Sequence, residues 1–251
     1  MTVSQKINFN PIVRKRTFEV VSEEIKRLIL NGDLKVGDKL PSESELAKRF
    51  NVGRQTIREA MRLLELSGYI RVEKGLGKGA VVVDTVMNTF SKLFLEAFLM
   101  KKIDIHDLTV ARVEIEKIMM KYVLENITSE DIQTLEENLK ISKDRIKNKI
   151  QPFNENIEFH KLLAKISKNS VFILVIELIM AVVSDFRSQV QLPLSFPKKN
   201  ISDHERIVEA LKKGDGKEVK SILEEHLTYV GKIMEDAVAK SQYLPSKGKR
   251  G

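Results

Sequence analysis

The sequence has little of what disulfide-bonded, thiol-dependent or membrane-spanning proteins require. It contains no Cys, which excludes a disulfide framework and cysteine chemistry, and it contains no Trp. Its most apolar window, 171–183, is 13 residues long and includes Glu177, whereas a membrane span needs about 20 residues. We therefore expect a buried core helix there. The N-terminus has no basic start followed by an apolar run, so we expect no signal peptide and a cytoplasmic location.

Positive charge is unevenly spread along the chain. The 251 residues carry 43 Lys and Arg against 35 Asp and Glu, a formal net charge of +8. Residues 1–85 contain 16 basic against 11 acidic side chains, whereas residues 86–239 contain 23 against 24. A basic first third is typical of a segment that neutralises nucleic-acid phosphates. Residues 241–251 form a second basic stretch, which we interpret as a disordered tail.

Residues 40–83 carry the strongest pattern in the chain. Helical patterns over 42–50 and 54–67 are separated by a tight turn at Asn51-Val52-Gly53. A helix over 18–30 precedes them, and glycine-punctuated strands over 69–73 and 80–83 follow. This order predicts that residues 1–84 form a winged helix-turn-helix domain that places its second motif helix in a DNA major groove.

The first turn of that predicted reading helix has side chains suited to base recognition. Arg can pair with guanine, Gln with adenine, and Thr can contact a thymine methyl group or a phosphate. The alternative is that the basic side chains form an ordinary solvated face. The predicted DNA-contacting residues are Arg54, Gln55, Thr56, Arg58 and Ser42, with Lys74, Gly77 and Lys78 in the wing.

After residue 84 the pattern changes to continuous helix, which predicts an all-α bundle over residues 85–240. The fold class is therefore mainly α, with an N-terminal winged helix-turn-helix and a C-terminal helical bundle. Pro193 and Pro197 are expected to interrupt the chain before the sixth bundle helix. Helices are predicted over 87–101, 104–126, 129–148, 152–167, 169–190, 199–213 and 215–240, with N-caps at Asp104, Ser129, Asn169 and Asp215.

Three of the four His residues lie on apolar stripes of three separate predicted helices. One inward-facing His is more often a hydrogen-bonded core residue than a ligand. Three neutral imidazoles that converge in a bundle can fill three positions of a divalent ion such as Zn, Ni or Mn. Asn156 lies one turn before His160 and could add an oxygen. The predicted metal ligands are Asn156, His160, His204 and His226, and no organic cofactor is expected.

Arg112 shares an apolar stripe with Leu108, Ile115 and Met119. An Arg that faces a core is costly unless its charge is paired. Two interpretations stay open: a structural ion pair with Glu116, or a bidentate clamp for the carboxylate of a small-molecule effector.

Residues 14–83 resemble the GntR family of bacterial transcription regulators. The shared residues are Leu40-Pro41-Ser42-Glu43, Leu46-Ala47, Ile57-Arg58-Glu59-Ala60 and the wing glycines Gly77 and Gly79. Gly53 stands where the family usually has Ser, and Ser44 where many members have a DNA-contacting Arg. The resemblance implies a protein that binds double-stranded operator DNA.

Residues 90–240 are similar to the FCD domain, the ligand-binding domain of the FadR subfamily. The shared residues are Arg112 with Glu116, Asn156 with His160, then His204 and His226. Members that bind metal use an Asp where this chain has Asn156. The resemblance implies a repressor that senses a small carboxylic or sugar acid, with Arg112 near that effector. Because two-fold symmetric DNA sites match dimeric readers, we also expect a homodimer.

Two other functions compete with an effector-responsive regulator. The bundle could serve only for dimerisation of a DNA-binding protein. Three His with an open coordination position also describe a hydrolytic zinc enzyme. No His/Glu pair at catalytic spacing occurs, however, and an enzyme has no need of a winged helix-turn-helix domain. We therefore expect that the chain is not an enzyme.

Overall fold

A computed structural model of the protein describes residues 16–73, 79–100, 103–189, 193 and 195–240. The chain divides into two compact units between Thr89 and Phe90, and each unit has its own hydrophobic core. The described residues form ten helices and one two-stranded sheet. The predicted fold class, mainly α with an N-terminal winged helix-turn-helix and a helical bundle, is confirmed.

The first unit consists of three helices and a hairpin: α1 (Thr17–Leu30), α2 (Glu43–Phe50), α3 (Arg54–Leu66), β1 (Ile70–Val72) and β2 (Ala80–Val82). The helices α1 and α2 both pack against α3. The strands are antiparallel, with Arg71 opposite Val81, and Lys39 adds an isolated bridge to Val81 from the other side. This hairpin is the wing that the glycine-punctuated sequence predicts.

Local sequence explains the helix-turn-helix. The Ser42 hydroxyl accepts a hydrogen bond from the Glu45 backbone N–H at 3.2 Å, so Ser42 is the N-cap of α2. Asn51 ends α2 in the left-handed conformation at φ 51°, which Asn tolerates better than most residues. Gly53 then starts α3 in an extended conformation. The inward face of α3 is buried and consists of Ile57, Ala60, Met61 and Leu64.

The second unit is built from long helices. The first, α4 (Val86–Leu99), spans the division between the units. The others are α5 (Ile105–Asn126), α6 (Ser129–Lys147), α7 (Phe153–Ile166), α8 (Ser170–Gln189), α9 (Phe196–Lys213) and α10 (Gly216–Lys240). The helix α5 packs against α10 and α7, while α9 packs against α10, α6 and α7. As a result α7, α9 and α10, which carry the three predicted His ligands, surround a common interior.

Most predicted helix starts are confirmed, with two corrections. Side-chain acceptors cap the first turns at three predicted positions: Asp104, Asn169 and Asp215. The N-cap of α6 is Thr128 and not Ser129, because Thr128 and Asp131 exchange hydrogen bonds as a capping box. The prediction that Pro197 interrupts the chain is wrong. It lies in the first turn of α9, where helices leave the backbone N–H unpaired and a missing one is tolerated.

The apolar window 171–183 lies within α8. It supplies fully buried core residues, among them Ile176, Met180 and Val182, which confirms the prediction of a buried core helix. None of the helices in the described part of the chain is long and apolar enough to cross a membrane.

Candidate DNA-reading surface and candidate metal centre

The exposed start of α3 presents the residues predicted to read DNA. Arg54, Gln55 and Arg58 are exposed and Thr56 is half-buried, while the next residue, Ile57, is fully buried. Ser42 is exposed at the start of α2. The polar side chains therefore lie on the face opposite the one that packs α3 against the core. The predicted wing contacts Lys74, Gly77 and Lys78 lie outside the described residues.

Glu43 holds one of these arginines in place. The Arg58 Nε donates a hydrogen bond to the Glu43 Oε2 at 2.8 Å, which joins the first turn of α2 to α3. Gln55 donates to Glu59 at 3.4 Å along the same helix. Glu43 was not predicted as a partner of Arg58, because the two residues are 15 positions apart in the chain.

The three predicted His ligands converge in the core of the second unit. His160 on α7, His204 on α9 and His226 on α10 are 0, 3 and 0% exposed. One nitrogen from each ring lies within 4.8 Å of the other two. The Nε2 atoms of His204 and His226 are 3.3 Å apart. Zinc bonds to His nitrogen are about 2.0–2.1 Å long, so two nitrogens on a tetrahedral ion lie about 3.3 Å apart. The separation of His204 and His226 fits such an ion, and the third ring lies within the 4.8 Å limit.

Glu116 orients the His160 ring. The His160 Nδ1 lies 2.8 Å from the Glu116 Oε2, and Glu116 accepts a second hydrogen bond from the Arg112 Nε at 2.6 Å. Because ionised Glu116 can only accept, the ring must place its proton on Nδ1. The His160 Nε2 then has a free lone pair, and this buried atom has no hydrogen-bond partner in the described protein. A hydrogen bond from the ring N–H to a carboxylate is the usual support of a metal-binding His.

Burial keeps the three rings neutral. Burial lowers the pKa of His160 to about 4, against the opposing effect of the Glu116 charge. Burial also lowers the pKa of His204 well below its usual range and lowers that of His226. Burial would raise the pKa of Glu116, but the His160 ring and the Arg112 guanidinium outweigh it and lower that pKa to about 2. Near pH 7 the cluster therefore offers three neutral imidazoles, the form that binds metal ions.

Asp203 supports a second ring and was not predicted. Its Oδ2 lies 3.4 Å from the His226 Nδ1, and its Oδ1 accepts a hydrogen bond from the Lys199 Nζ at 2.6 Å. Asp203 is 1% exposed. It directly precedes His204 in the sequence, yet it contacts the His of the neighbouring helix, which sequence spacing cannot indicate.

The two remaining predicted site residues, Asn156 and Arg112, both form hydrogen bonds with other protein side chains. The Asn156 Oδ1 accepts a hydrogen bond from the Asn200 Nδ2 at 3.0 Å, so the oxygen predicted as a metal ligand is paired with an amide. Arg112 is 5% exposed, and its bond to Glu116 is the ion pair that was one of its two interpretations. The assignment of Asn156 to a metal and of Arg112 to an effector carboxylate stays a prediction.

Asn200 also was missed, although the sequence contains a signal for it. Residues 156–160 and 200–204 share the pattern Asn-Ile-x-x-His. Each Asn lies one helical turn before a ligand His, on α7 and on α9, so two such helices packed together bring the two amides face to face.

A narrow cavity opens beside this amide pair, between α6, α7 and α9. It is small, because the space open to the centre of a water-sized molecule is about 20 Å³. One His of the cluster reaches it, which places the cavity next to the candidate metal centre. It is lined by Ser142, Gln151, Pro152, Phe153, Asn156, Phe196, Pro197, Asn200, Ile201 and His204.

The two parts of the chain match two known families. Residues 17–82 match the family described as bacterial regulatory proteins, gntR family, and residues 107–229 match the FCD domain. Together these matches cover most of the chain. The chain belongs to the GntR family and has an FCD domain, as the sequence resemblance predicted. It is a DNA-binding transcription regulator that responds to an effector.

Particular relatives can be named. The "HTH-type transcriptional repressor NanR" of Klebsiella aerogenes is 29% identical over 233 residues, which are 91% of this chain and 89% of that protein. The protein of the same name from Escherichia coli K12 is 28% identical over 232 residues, 91% of this chain and 88% of that protein. Among solved structures, "Streptococcus agalactiae GntR" has a TM-score of 0.65 at 24% identity and covers 86% of this chain and 99% of its own. The similarity to this solved structure shows that the two proteins share a fold.

Proposed function

We propose that this protein is a homodimeric repressor that acts on operator DNA in the cytoplasm and releases it when a small carboxylic or sugar acid binds to the FCD domain. The observation that carries the proposal is the convergence of three buried, neutral His rings in a protein whose first unit is a DNA-binding domain. Relatives that carry the name of a transcriptional repressor support the sign of the regulation. Membership of a regulator family also supports the expectation that the chain is not an enzyme.

The first unit would read DNA through α3. Its exposed arginines, Arg54 and Arg58, have the chemistry to contact guanine, and Gln55 that to contact adenine. One helix of this kind reads a short half-site, and a two-fold symmetric dimer reads two half-sites about one helical turn apart. The proposal therefore includes a homodimer and a palindromic operator.

The second unit would hold a divalent ion, Zn, Ni or Mn, on His160, His204 and His226. When bound, the ion supplies a positive charge and open coordination positions that attract a carboxylate. Glu116 and Asp203 fix two of the rings from behind. Neutral rings leave the ion with its full charge, which favours an anionic effector over a neutral one.

The effector would act through unequal affinities. A ligand shifts an equilibrium only by its difference in affinity for the two states, so the acid must bind the DNA-free form more tightly than the DNA-bound form. By reciprocity, operator DNA must weaken acid binding by the same factor.

The first experiment is the metal content of the full-length protein by mass spectrometry, on wild type and on His204→Ala. We expect close to one equivalent per chain in wild type and loss of the metal in the variant. His106→Ala is the matched control, because His106 has a 72% exposed side chain and lies outside the cluster. A wild-type protein that binds no metal after chelation and reloading would contradict the metal part of the proposal.

The second experiment measures operator affinity by fluorescence anisotropy, with candidate acids added to metal-loaded and metal-stripped protein. We expect an acid that lowers operator affinity only when metal is present. If His204→Ala responds to the acid as wild type does, the cluster is not the sensor. If no acid changes operator affinity, the bundle serves for dimerisation alone.

A further inference from the structure

We propose that the junction between the reading helix α3 and the wing binds backbone phosphates of DNA through Arg62 and Arg71. Neither arginine is among the residues predicted to contact DNA. The inference rests on DNA reading by the first unit, which is part of the proposed function, and is independent of the metal and the acid of the second unit. It adds a contact that does not depend on DNA sequence to the side chains that read bases.

Arg62 continues the exposed face of α3. It lies one helical turn beyond Arg58 and two turns beyond Arg54, and all three arginines are exposed. Side chains four residues apart lie on the same side of a helix. When the first turn of α3 enters the major groove, Arg62 faces the same duplex about 12 Å further along the helix axis. Because the major groove is itself about 12 Å wide, this distance takes Arg62 to the edge of the groove, where the phosphates lie.

Glu65 joins α3 to the first strand of the wing. Its Oε1 accepts a hydrogen bond from the Val72 backbone N–H at 2.9 Å. Arg62 lies about one turn before Glu65 on α3, and Arg71 directly precedes Val72 on β1. This hydrogen bond therefore brings an arginine from each of two elements to the same junction.

Both arginines are available to an external anion. Arg62 and Arg71 are exposed, and neither has a hydrogen-bond or ion-pair partner among the described residues. The Glu65 carboxylate, which could pair with Arg62 at a spacing of three residues, is engaged by Val72. Other arginines of the first unit are paired with glutamates: Arg27 with Glu24, Arg49 with Glu45 and Arg58 with Glu43.

The shape of DNA places phosphates at this junction. A sugar–phosphate strand lies between neighbouring grooves, so it separates a helix in the major groove from a wing that contacts the same duplex beside it. The junction between α3 and the wing therefore faces that strand. Arg62, Arg71 and Glu65 together carry a net charge of +1. Guanidinium groups match phosphate oxygens in bidentate geometry, which makes a phosphodiester the fitting anion.

The test measures the salt dependence of DNA binding by the full-length protein. Fluorescence anisotropy gives the affinity at several salt concentrations for a random-sequence duplex and for an operator duplex selected from random sequences. Each phosphate contact contributes about 0.9 to the slope of log affinity against log salt concentration. We expect Arg62→Gln and Arg71→Gln each to reduce this slope by about one per protomer on both duplexes. At about 0.15 M salt the affinity should fall about five-fold per lost contact.

Two kinds of control variant accompany these substitutions. Arg62→Lys and Arg71→Lys keep the positive charge and should keep most of the slope. Arg27→Gln is the matched control, because Arg27 is an exposed arginine of the same unit whose guanidinium is held by Glu24. Its slope should equal that of wild type. Thermal unfolding shows that each variant folds, and substitution at these exposed positions should leave it unchanged.

Glu65→Gln tests the same site with the opposite sign. The amide oxygen of Gln can still accept the hydrogen bond from Val72, while the negative charge beside the phosphate is removed. We expect this variant to bind both duplexes about two-fold or more tightly than wild type does. Unchanged or weaker binding would contradict a phosphate at this junction.

The outcomes separate the phosphate site from DNA reading by α3. A slope that stays at the wild-type value in Arg62→Gln or in Arg71→Gln would overturn the paired site. A loss of affinity confined to the operator duplex would also overturn it, because a residue that reads bases changes specificity and not binding to all sequences. Arg54→Gln should weaken binding to the operator selectively. If it leaves operator affinity unchanged, base reading by the first turn of α3 fails, and the phosphate site fails with it.

Discussion

Acidification of the metal-free protein should destabilise the FCD domain through its buried His rings. The folded state keeps the pKa of His160 at about 4, whereas the usual value is 6.5. Between these values the unfolded chain binds a proton that the folded chain does not. Stability therefore rises with pH through this window and falls as the pH is lowered from 6.5 towards 4.

The size of the effect follows from the two pKa values. At pH 7 the His160 ring is mostly neutral in the unfolded chain as well, so proton binding hardly differs between the unfolded and folded states. At pH 5 the loss in the free energy of unfolding is about 2 kcal/mol for His160 alone. Below pH 4 this loss approaches about 3 kcal/mol. Burial lowers the pKa of His204 and of His226 as well, so both add to the loss in the same direction. Glu116, with its pKa at about 2, stays ionised throughout this range.

Hydrogen exchange read by mass spectrometry can measure this in the intact protein. Peptides from α7 report the opening free energy of the FCD domain separately from the winged head. We expect this free energy to fall by at least about 2 kcal/mol between pH 7 and pH 5 in the presence of a chelator. His160→Gln, which can still donate to Glu116, should lose its share of the fall.

The matched control is His106→Gln, because His106 is exposed and lies outside the buried cluster. Its pH dependence should equal that of wild type. An α7 opening free energy that is the same at pH 7 and pH 5 in wild type would refute the reasoning, since it would mean that the rings are solvated or already protonated in the folded state.

Three further predictions concern single substitutions. Glu116→Gln should weaken metal binding about 10–100-fold in a chelator competition, since His160 loses its charged partner; unchanged affinity would contradict the role of Glu116. Asn156→Asp should raise metal affinity about ten-fold or more, because it adds an anionic oxygen one turn from His160, and a fall would show that this position does not face the ion. Glu43→Gln should weaken operator binding by about 0.5–1 kcal/mol, although it removes a negative charge from the DNA surface, because the acceptor that orients Arg58 loses its charge. Binding to a scrambled duplex is the control, and a tightening on both duplexes would contradict this role.

Local sequence determined the elements of this protein. Helical periodicity, turn residues and caps gave the helices of both units to within a few residues, because these signals act between neighbours in the chain. The helix-turn-helix was predictable for the same reason, since its turn, caps and exposed reading residues all lie within 42–58. The start of α6 shows that local sequence alone does not always identify the exact residue at which a helix begins. Thr128 and Ser129 are both good caps, and the reciprocal bond with Asp131 selects Thr128.

Contacts between helices were decided by tertiary structure. The sequence placed each of the three His residues on an apolar stripe, but their convergence depends on how α7, α9 and α10 pack. The same packing pairs Asn156 with Asn200 across 44 residues. It also places Asp203 against His226 and not against its own neighbour, His204. Side-chain spacing along one helix fixes which face a residue occupies, whereas the partner on that face depends on crossing angles and distances that only the packed core sets.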